Sequence, residues 1–130
     1  VGYRLLIVDD DANVQKMLRI LLEYEHLEVI LASDGLEALE CVERVRPDLI
    51  LLDLMMPRMD GRTFVEELER RGLRSSLPVI VLTADVHARA LIELMGVEDW
   101  LIKPFHLSDL LGKIRYHLHR GERDTSSSQD

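Results

Sequence analysis

Leu49-Ile50-Leu51-Leu52-Asp53 is the stretch that decides the fold. An unbroken aliphatic run closed by a carboxylate reads as a strand buried on both faces. Alternate side chains of a strand point to opposite sides, and here neither side is polar. Strands of that kind belong to parallel sheets covered by helices, which place their chemistry at the carboxyl ends of the strands. Asp53 stands at such an end. Three other runs close in the same way. Arg4-Leu5-Leu6-Ile7-Val8 leads into Asp9, Asp10 and Asp11. Val79-Ile80-Val81-Leu82 leads into Thr83, and Trp100-Leu101-Ile102 leads into Lys103-Pro104-Phe105. If the strands are parallel, these ends share one edge. An acidic pair, a lone aspartate, a hydroxyl and a lysine then meet there.

Working outward, strand-like and helix-like segments alternate five times along 130 residues, the size of one domain. Strands are predicted near 3–9, 28–32, 48–53, 79–83 and 99–102. The first helix is predicted near 12–25, where Val14, Met17, Leu18, Leu21 and Leu22 form an apolar stripe. Gly35, Ala38, Leu39 and Val42 mark the second helix, with Asp34 as its N-cap and Pro47 as its stop. Phe64, Val65 and Leu68 mark the third, with Gly72 as a C-cap. Ala88, Leu91, Ile92 and Met95 mark the fourth, ended by Gly96. Leu107, Leu110, Leu111, Ile114 and Leu118 line the fifth. Strict alternation implies a doubly wound parallel α/β sheet. The folded part is expected over 3–119, and 120–130 reads as a flexible polar tail or the start of a linker.

Apolar residues make up 47% of the chain, enough for a real core. The formal charge of −8, from 24 acidic and 16 basic residues, argues against a nucleic-acid-binding surface and suits a cation site. Arg115, Arg120 and Arg123 are too few and too balanced by acids to alter that. The single Cys41 forms no internal disulfide and reads as a small core residue of a reducing, cytoplasmic compartment. No apolar run has the length of a membrane span, and the first residues lack the pattern of a secretory leader. The chain does not start with Met, so it is open to being part of a longer protein.

VDDD at the first strand end, LLDLMMPRMDG around Asp53, LTA at Thr83 and KPF at Lys103 together resemble the receiver domain of two-component response regulators. The likeness extends over about residues 3–119. It implies a flavodoxin-like (βα)5 fold with strand order 2-1-3-4-5. It implies a phosphohistidine donor on a histidine kinase or phosphotransfer protein, and a downstream effector that the sequence does not identify. It adds the backbone carbonyl of Met55 as a metal ligand, Trp100 as the switch aromatic and a cis bond before Pro104.

The chemistry is legible beside the likeness. Crowded carboxylates repel, and a divalent cation relieves them. Asp10 and Asp53 are expected as direct ligands of Mg²⁺, or of Mn²⁺ in its place, with Asp9 acting partly through water. Asp53 needs no general base, since a carboxylate is already ionised, and is the expected phosphoacceptor. Lys103, the Thr83 hydroxyl and the Ala84 N–H are expected to meet the charge that develops on the phosphoryl oxygens. An inward shift of Thr83 would vacate space on the face of helix 4, strand 5 and helix 5. The domain would then catalyse only its own phosphorylation and dephosphorylation. It would not be an enzyme in the ordinary sense.

Other residues have simpler readings. Asp11 starts the first helix. Asp60 and Gly61 are turn residues. Met55 and Met56 pack. His117 and His119 do not share a helix face. Three features depart from the likeness: a short Thr83-to-Lys103 spacing, Trp in place of a smaller switch aromatic, and Asp85 at the phosphoryl entrance. Asp85 would either repel an anionic donor or orient a hydrolytic water. Two other functions compete. A phosphatase of the haloacid-dehalogenase type would use Asp9 and Asp11, although Asn13 breaks its signature. A receiver-like binding module would take up no phosphate.

Overall fold

The computed structural model describes residues 2–127, with side chains described through residue 120. Its elements are β1 (Arg4–Val8), α1 (Ala12–Tyr24), β2 (Glu28–Ala32), α2 (Gly35–Val45), β3 (Leu49–Asp53), α3 (Gly61–Arg70), β4 (Val79–Thr83), α4 (Arg89–Met95), β5 (Asp99–Ile102) and α5 (Leu107–Ser127). The strands form one sheet in the order β2-β1-β3-β4-β5, every neighbouring pair parallel. The (βα)5 fold and its strand order hold as expected.

Strand periodicity divides the core. Leu6, Val8, Ile50, Leu52, Val79 and Val81 face one side, where α2, α3 and α4 contribute Leu39, Phe64 and Ile92. Leu5, Ile7, Leu49, Leu51, Ile80 and Leu82 face the other, against Leu18 and Leu22 of α1 and Leu110 and Ile114 of α5. Leu49 to Leu52 are at most 1% exposed, which accounts for the uninterrupted aliphatic run. After β1 the chain steps to β2 on one side, then crosses back to β3 on the other. The sheet order thus reverses between β1 and β3, and the flanking connections diverge there. That opens a crevice at the carboxyl ends of those two strands.

Three aspartates fix helix starts. Asp11 Oδ1 accepts from the N–H groups of Asn13 (2.8 Å) and Val14 (3.3 Å), opening α1. Asp34 accepts from Glu37 N–H at 2.9 Å, and Asp60 from Thr63 N–H at 2.9 Å. Such caps satisfy N–H groups that the first helical turn leaves unpaired. Gly96 ends α4 in the left-handed conformation, whereas the C-cap of α3 is Arg71, not the expected Gly72, which takes the left-handed conformation two residues after the end of that helix.

Several local expectations are corrected. The stripe of α1 buries Leu18 and Leu22 but leaves Met17 half exposed, while polar Gln15 is buried. Met55 does not pack. It is 72% exposed, and only Met56 lies against the core. Gly61 is not a simple turn residue. A Cβ there would come within 2.9 Å of the Asp53 carbonyl oxygen and of Leu54 Cα, so only glycine lets α3 start so close to the end of β3. The backbone of α5 continues to Ser127, past the expected end of the folded part. The remainder of the expected tail, 128–130, lies outside the described residues. The short spacing after Thr83 coincides with an α4 of seven residues.

Candidate functional site

The crevice between β1 and β3 gathers the acidic residues. Asp9 follows β1 and is 3% exposed, Asp10 is exposed, and Asp53 closes β3 half-buried. Ligand oxygens from these three carboxylates lie within 4.8 Å of one another. Thr83 closes β4 with 1% exposure. Lys103 follows β5, where its N–H donates to the Thr83 carbonyl at 2.7 Å. Its ammonium reaches back across the edge to Asp9 Oδ2 at 3.3 Å. The Lys103–Pro104 peptide bond is cis.

These groups differ in how far they are committed. Asp9 has both carboxylate oxygens engaged, Oδ1 by Asp11 N–H at 2.9 Å and Oδ2 by Lys103. Asp53 has one long contact, from Met55 N–H at 3.3 Å. Burial first, and then the charge of Asp9, raise the Asp53 carboxyl above its ordinary value. Lys103 and the Met55 N–H only partly oppose this. The site therefore crowds more negative charge than its own lysine offsets. The donors are oxygens, and the set suits a hard divalent cation.

Thr83 Oγ accepts from Asp85 N–H at 3.1 Å, and Asp85 Oδ1 accepts from His87 N–H at 2.8 Å. The Asp85 carboxylate is thus used to turn the β4–α4 loop. Ala84 is exposed beside them. Trp100 lies away from the acidic edge. It pairs in register with Val81, two residues back from the Thr83–Ile102 pair, and packs half-buried on the core shared with α4. Because alternate residues share a sheet face, Thr83, Val81 and Trp100 lie on the same side. Trp100 is thereby a diagonal neighbour of Thr83.

His117 and His119 are apart, as their spacing predicts. His117 is buried against Asp99, Nε2 to Oδ2 at 2.9 Å, whereas His119 meets the ring of Tyr3 edge-on. Cys41 is buried, and burial pushes its thiol up.

The sequence reading missed two supporting residues. Gln15 Nε2 donates to the carbonyl of Asp9 at 2.6 Å, with the carbonyl of Ala32 at 3.1 Å and Ser33 Oγ at 3.3 Å as further acceptors. Arg58, in the β3–α3 loop, pairs with Asp34, Nε to Oδ2 at 2.8 Å. The place of Gln15 three and seven positions before Leu18 and Leu22, on one helix face, was the available sign of the first. The second had none, because the pairing spans 24 positions.

A parallel sheet of this order, with an acidic crevice beside a lysine and a buried threonine at its carboxyl edge, defines a class of doubly wound α/β domain. Residues 5–115 match the response regulator receiver domain, and the chain belongs to that family. It is 44% identical over 126 residues to response regulator MprA of Mycobacterium leprae (strain TN), covering 95% of this chain and 54% of that protein. The MprA of Mycobacterium tuberculosis (strain ATCC 25618 / H37Rv) is 44% identical over 122 residues, covering 92% and 52%. The chain thus spans about half the length of the curated relatives it matches. Among solved structures, the receiver domain of Francisella response regulator 1452 superposes with a TM-score of 0.84 at 29% identity, covering 92% of this chain and 99% of that one. Response regulator TrrA of Thermotoga maritima, in complex with Mg(2+)-BeF, superposes with a TM-score of 0.81 at 29% identity, covering 88% and 98%. The chain is a receiver domain of a two-component response regulator. No helix among the described residues is long and apolar enough to cross a membrane.

Proposed function

We propose that Asp53 is the phosphoacceptor of this receiver and that Asp9, Asp10, Asp53 and the Met55 carbonyl hold a Mg²⁺ ion, for which Mn²⁺ can substitute. The observation that carries this reading is the convergence of three carboxylates within 4.8 Å beside Lys103. Among the three, Asp53 fits the nucleophile best. Asp9 is buried with both oxygens occupied, whereas Asp53 is half-buried and nearly free.

A carboxylate oxygen of Asp53 attacks phosphorus as the nitrogen–phosphorus bond of a phosphohistidine breaks. The released imidazole keeps the electron pair and takes a proton from solvent. The bound cation supplies positive charge that balances the phosphoryl oxygens. Lys103 serves the same end from the β5 side, once its ammonium leaves Asp9 for the stronger acceptor. The Ala84 N–H donates to a third oxygen. Thr83 swings its hydroxyl from the Asp85 N–H toward the phosphoryl group. Trp100, its diagonal neighbour, follows into the vacated space and alters the α4–β5–α5 face. The domain is its own substrate and turns over nothing else. The donor is a histidine kinase or phosphotransfer protein of the cytoplasm, and the altered face addresses an effector.

The test is intact-protein mass after incubation with acetyl phosphate, with and without Mg²⁺, beside Asp53→Asn. One Mg²⁺-dependent phosphoryl adduct that Asp53→Asn lacks is the expected result. An adduct that persists in Asp53→Asn would move the acceptor elsewhere. No adduct together with no uptake of beryllofluoride would leave a binding module.

A further inference from the structure

We propose that Gln15 is a positioning residue for the acidic edge, fixing the main chain from which Asp9 and Asp10 project while adding no charge to it. The inference rests on the reading that these carboxylates bind a divalent cation.

Gln15 is the fourth residue of α1 and is 9% exposed. A carboxamide buried to that degree needs partners, and this one finds three. Nε2 stands 2.6 Å from the Asp9 carbonyl, 3.1 Å from the Ala32 carbonyl and 3.3 Å from Ser33 Oγ. Both carbonyls lie where the β1–β2 ladder runs out. Its last rung is the Asp9 N–H on the Ala32 carbonyl at 3.1 Å. Beyond it, the Asp9 carbonyl has no strand to accept from, and a buried carbonyl without a donor is costly. Gln15 supplies that donor from a helix that the Asp11 cap and the Leu18 and Leu22 contacts hold in place.

The consequence reaches the carboxylates through the peptide plane. The Asp9 carbonyl and the Asp10 N–H belong to one planar unit. Pinning the carbonyl therefore fixes the direction in which the Asp10 backbone leaves β1. Asp9 is then held at its N–H, its carbonyl and both carboxylate oxygens. Charge matters as well. A cationic donor at this depth would also cap the carbonyls, but it would weaken the field that draws a cation to Asp10 and Asp53. A neutral amide fixes the geometry and leaves the field intact. Groups that orient metal ligands from behind typically change metal affinity by about 10- to 100-fold when removed.

The test is Mg²⁺ binding to the 130-residue chain by calorimetric titration at fixed ionic strength, with fold and stability followed separately by circular dichroism. Gln15→Met keeps the length and removes the donor. Gln15→Asn keeps the amide and withdraws it by one carbon, and it gives the answer if Gln15→Met does not fold. Leu118→Ala, buried on α5 away from the edge, is the control for lost stability alone. The expected result is Mg²⁺ affinity about tenfold weaker in the Gln15 variant and unchanged in Leu118→Ala. Affinity within about twofold of the parent in the folded Gln15 variant would overturn the inference, as would an equal loss in Leu118→Ala. A parent chain that binds no Mg²⁺ would overturn the reading on which it rests.

Discussion

Arg58 sets two opposing effects against each other, and replacing it by Gly and by Ala separates them. Its φ of +65° is a left-handed conformation that costs an L-residue about 1–2 kcal/mol. Glycine escapes that cost but loses about 0.4–1 kcal/mol through its freer unfolded chain, so the exchange alone gains roughly 0–1.6 kcal/mol, centred near 0.8. Against it stands the pair with Asp34, whose side chain is 7% exposed. The Glu37 N–H is the main cause holding the Asp34 carboxyl below its ordinary value of 3.8; burial opposes it and Arg58 assists. A charge-assisted bond to a buried carboxylate contributes about 1.5–3 kcal/mol, and the 60% exposure of the Arg58 side chain argues for the lower end. Arg58→Ala, which loses the pair and keeps the strain, is expected to lose about 1.5 kcal/mol. Arg58→Gly is expected to lose less, about 0.7 kcal/mol. Urea denaturation at neutral pH measures both, with an unchanged slope as the check that only stability has moved. Because the Asp34 pKa is depressed, the stabilisation is fully present above 3.8 and fades as pH falls through the folded-state value. The variants and the parent should then converge in acid. An Arg58→Gly chain more stable than the parent at neutral pH would refute the argument, since it would mean that strain outweighs the pair.

Gly61→Ala presses a Cβ against the backbone of Asp53 and Leu54 and is expected to cost about 1–3 kcal/mol, with slower phosphoryl uptake at Asp53. A thermal melt and a timed mass measurement read the two effects, and an unchanged melt would show that β3 yields without cost. Asp53→Asn should raise the melting midpoint in the absence of divalent cations. The raised Asp53 pKa means that its ionised form costs stability at neutral pH, a cost that disappears below the ordinary carboxylate value. The same variant should lose most of the midpoint gain that Mg²⁺ gives the parent, and an equal gain in both would remove Asp53 from the cation site. Trp100 is the single tryptophan, so beryllofluoride with Mg²⁺ should shift the emission maximum of the chain. An identical spectrum, with beryllofluoride uptake established by mass, would separate Trp100 from the switch.

The architecture was legible because its signals are local. Runs such as Leu49 to Leu52 identify strands whatever their neighbours are, and the spacing of Leu107, Leu110, Leu111 and Ile114 identifies a helix with one buried face. Asp11, Asp34 and Pro47 mark helix boundaries through contacts only a few residues long. Once the strands are parallel, Asp9, Asp10, Asp53, Thr83 and Lys103 must fall on one edge, because each closes or follows a strand. The candidate site was therefore readable as a set of residues before its distances were known. Composition and spacing could not say which α1 side chain is buried. Gln15 is sheltered because the ends of β1 and β2 present two carbonyls there, while Met17, within the apolar stripe, is left half exposed. Nor could they foresee that Met55 points to solvent, that Asp85 turns its own loop, that Gly61 lies on the backbone of Asp53, or that Arg58 reaches Asp34. Each of these depends on groups brought together only when the sheet closes. Periodicity and capping are properties of a short stretch of chain, whereas the partner of a buried polar group is chosen by the packing of distant ones.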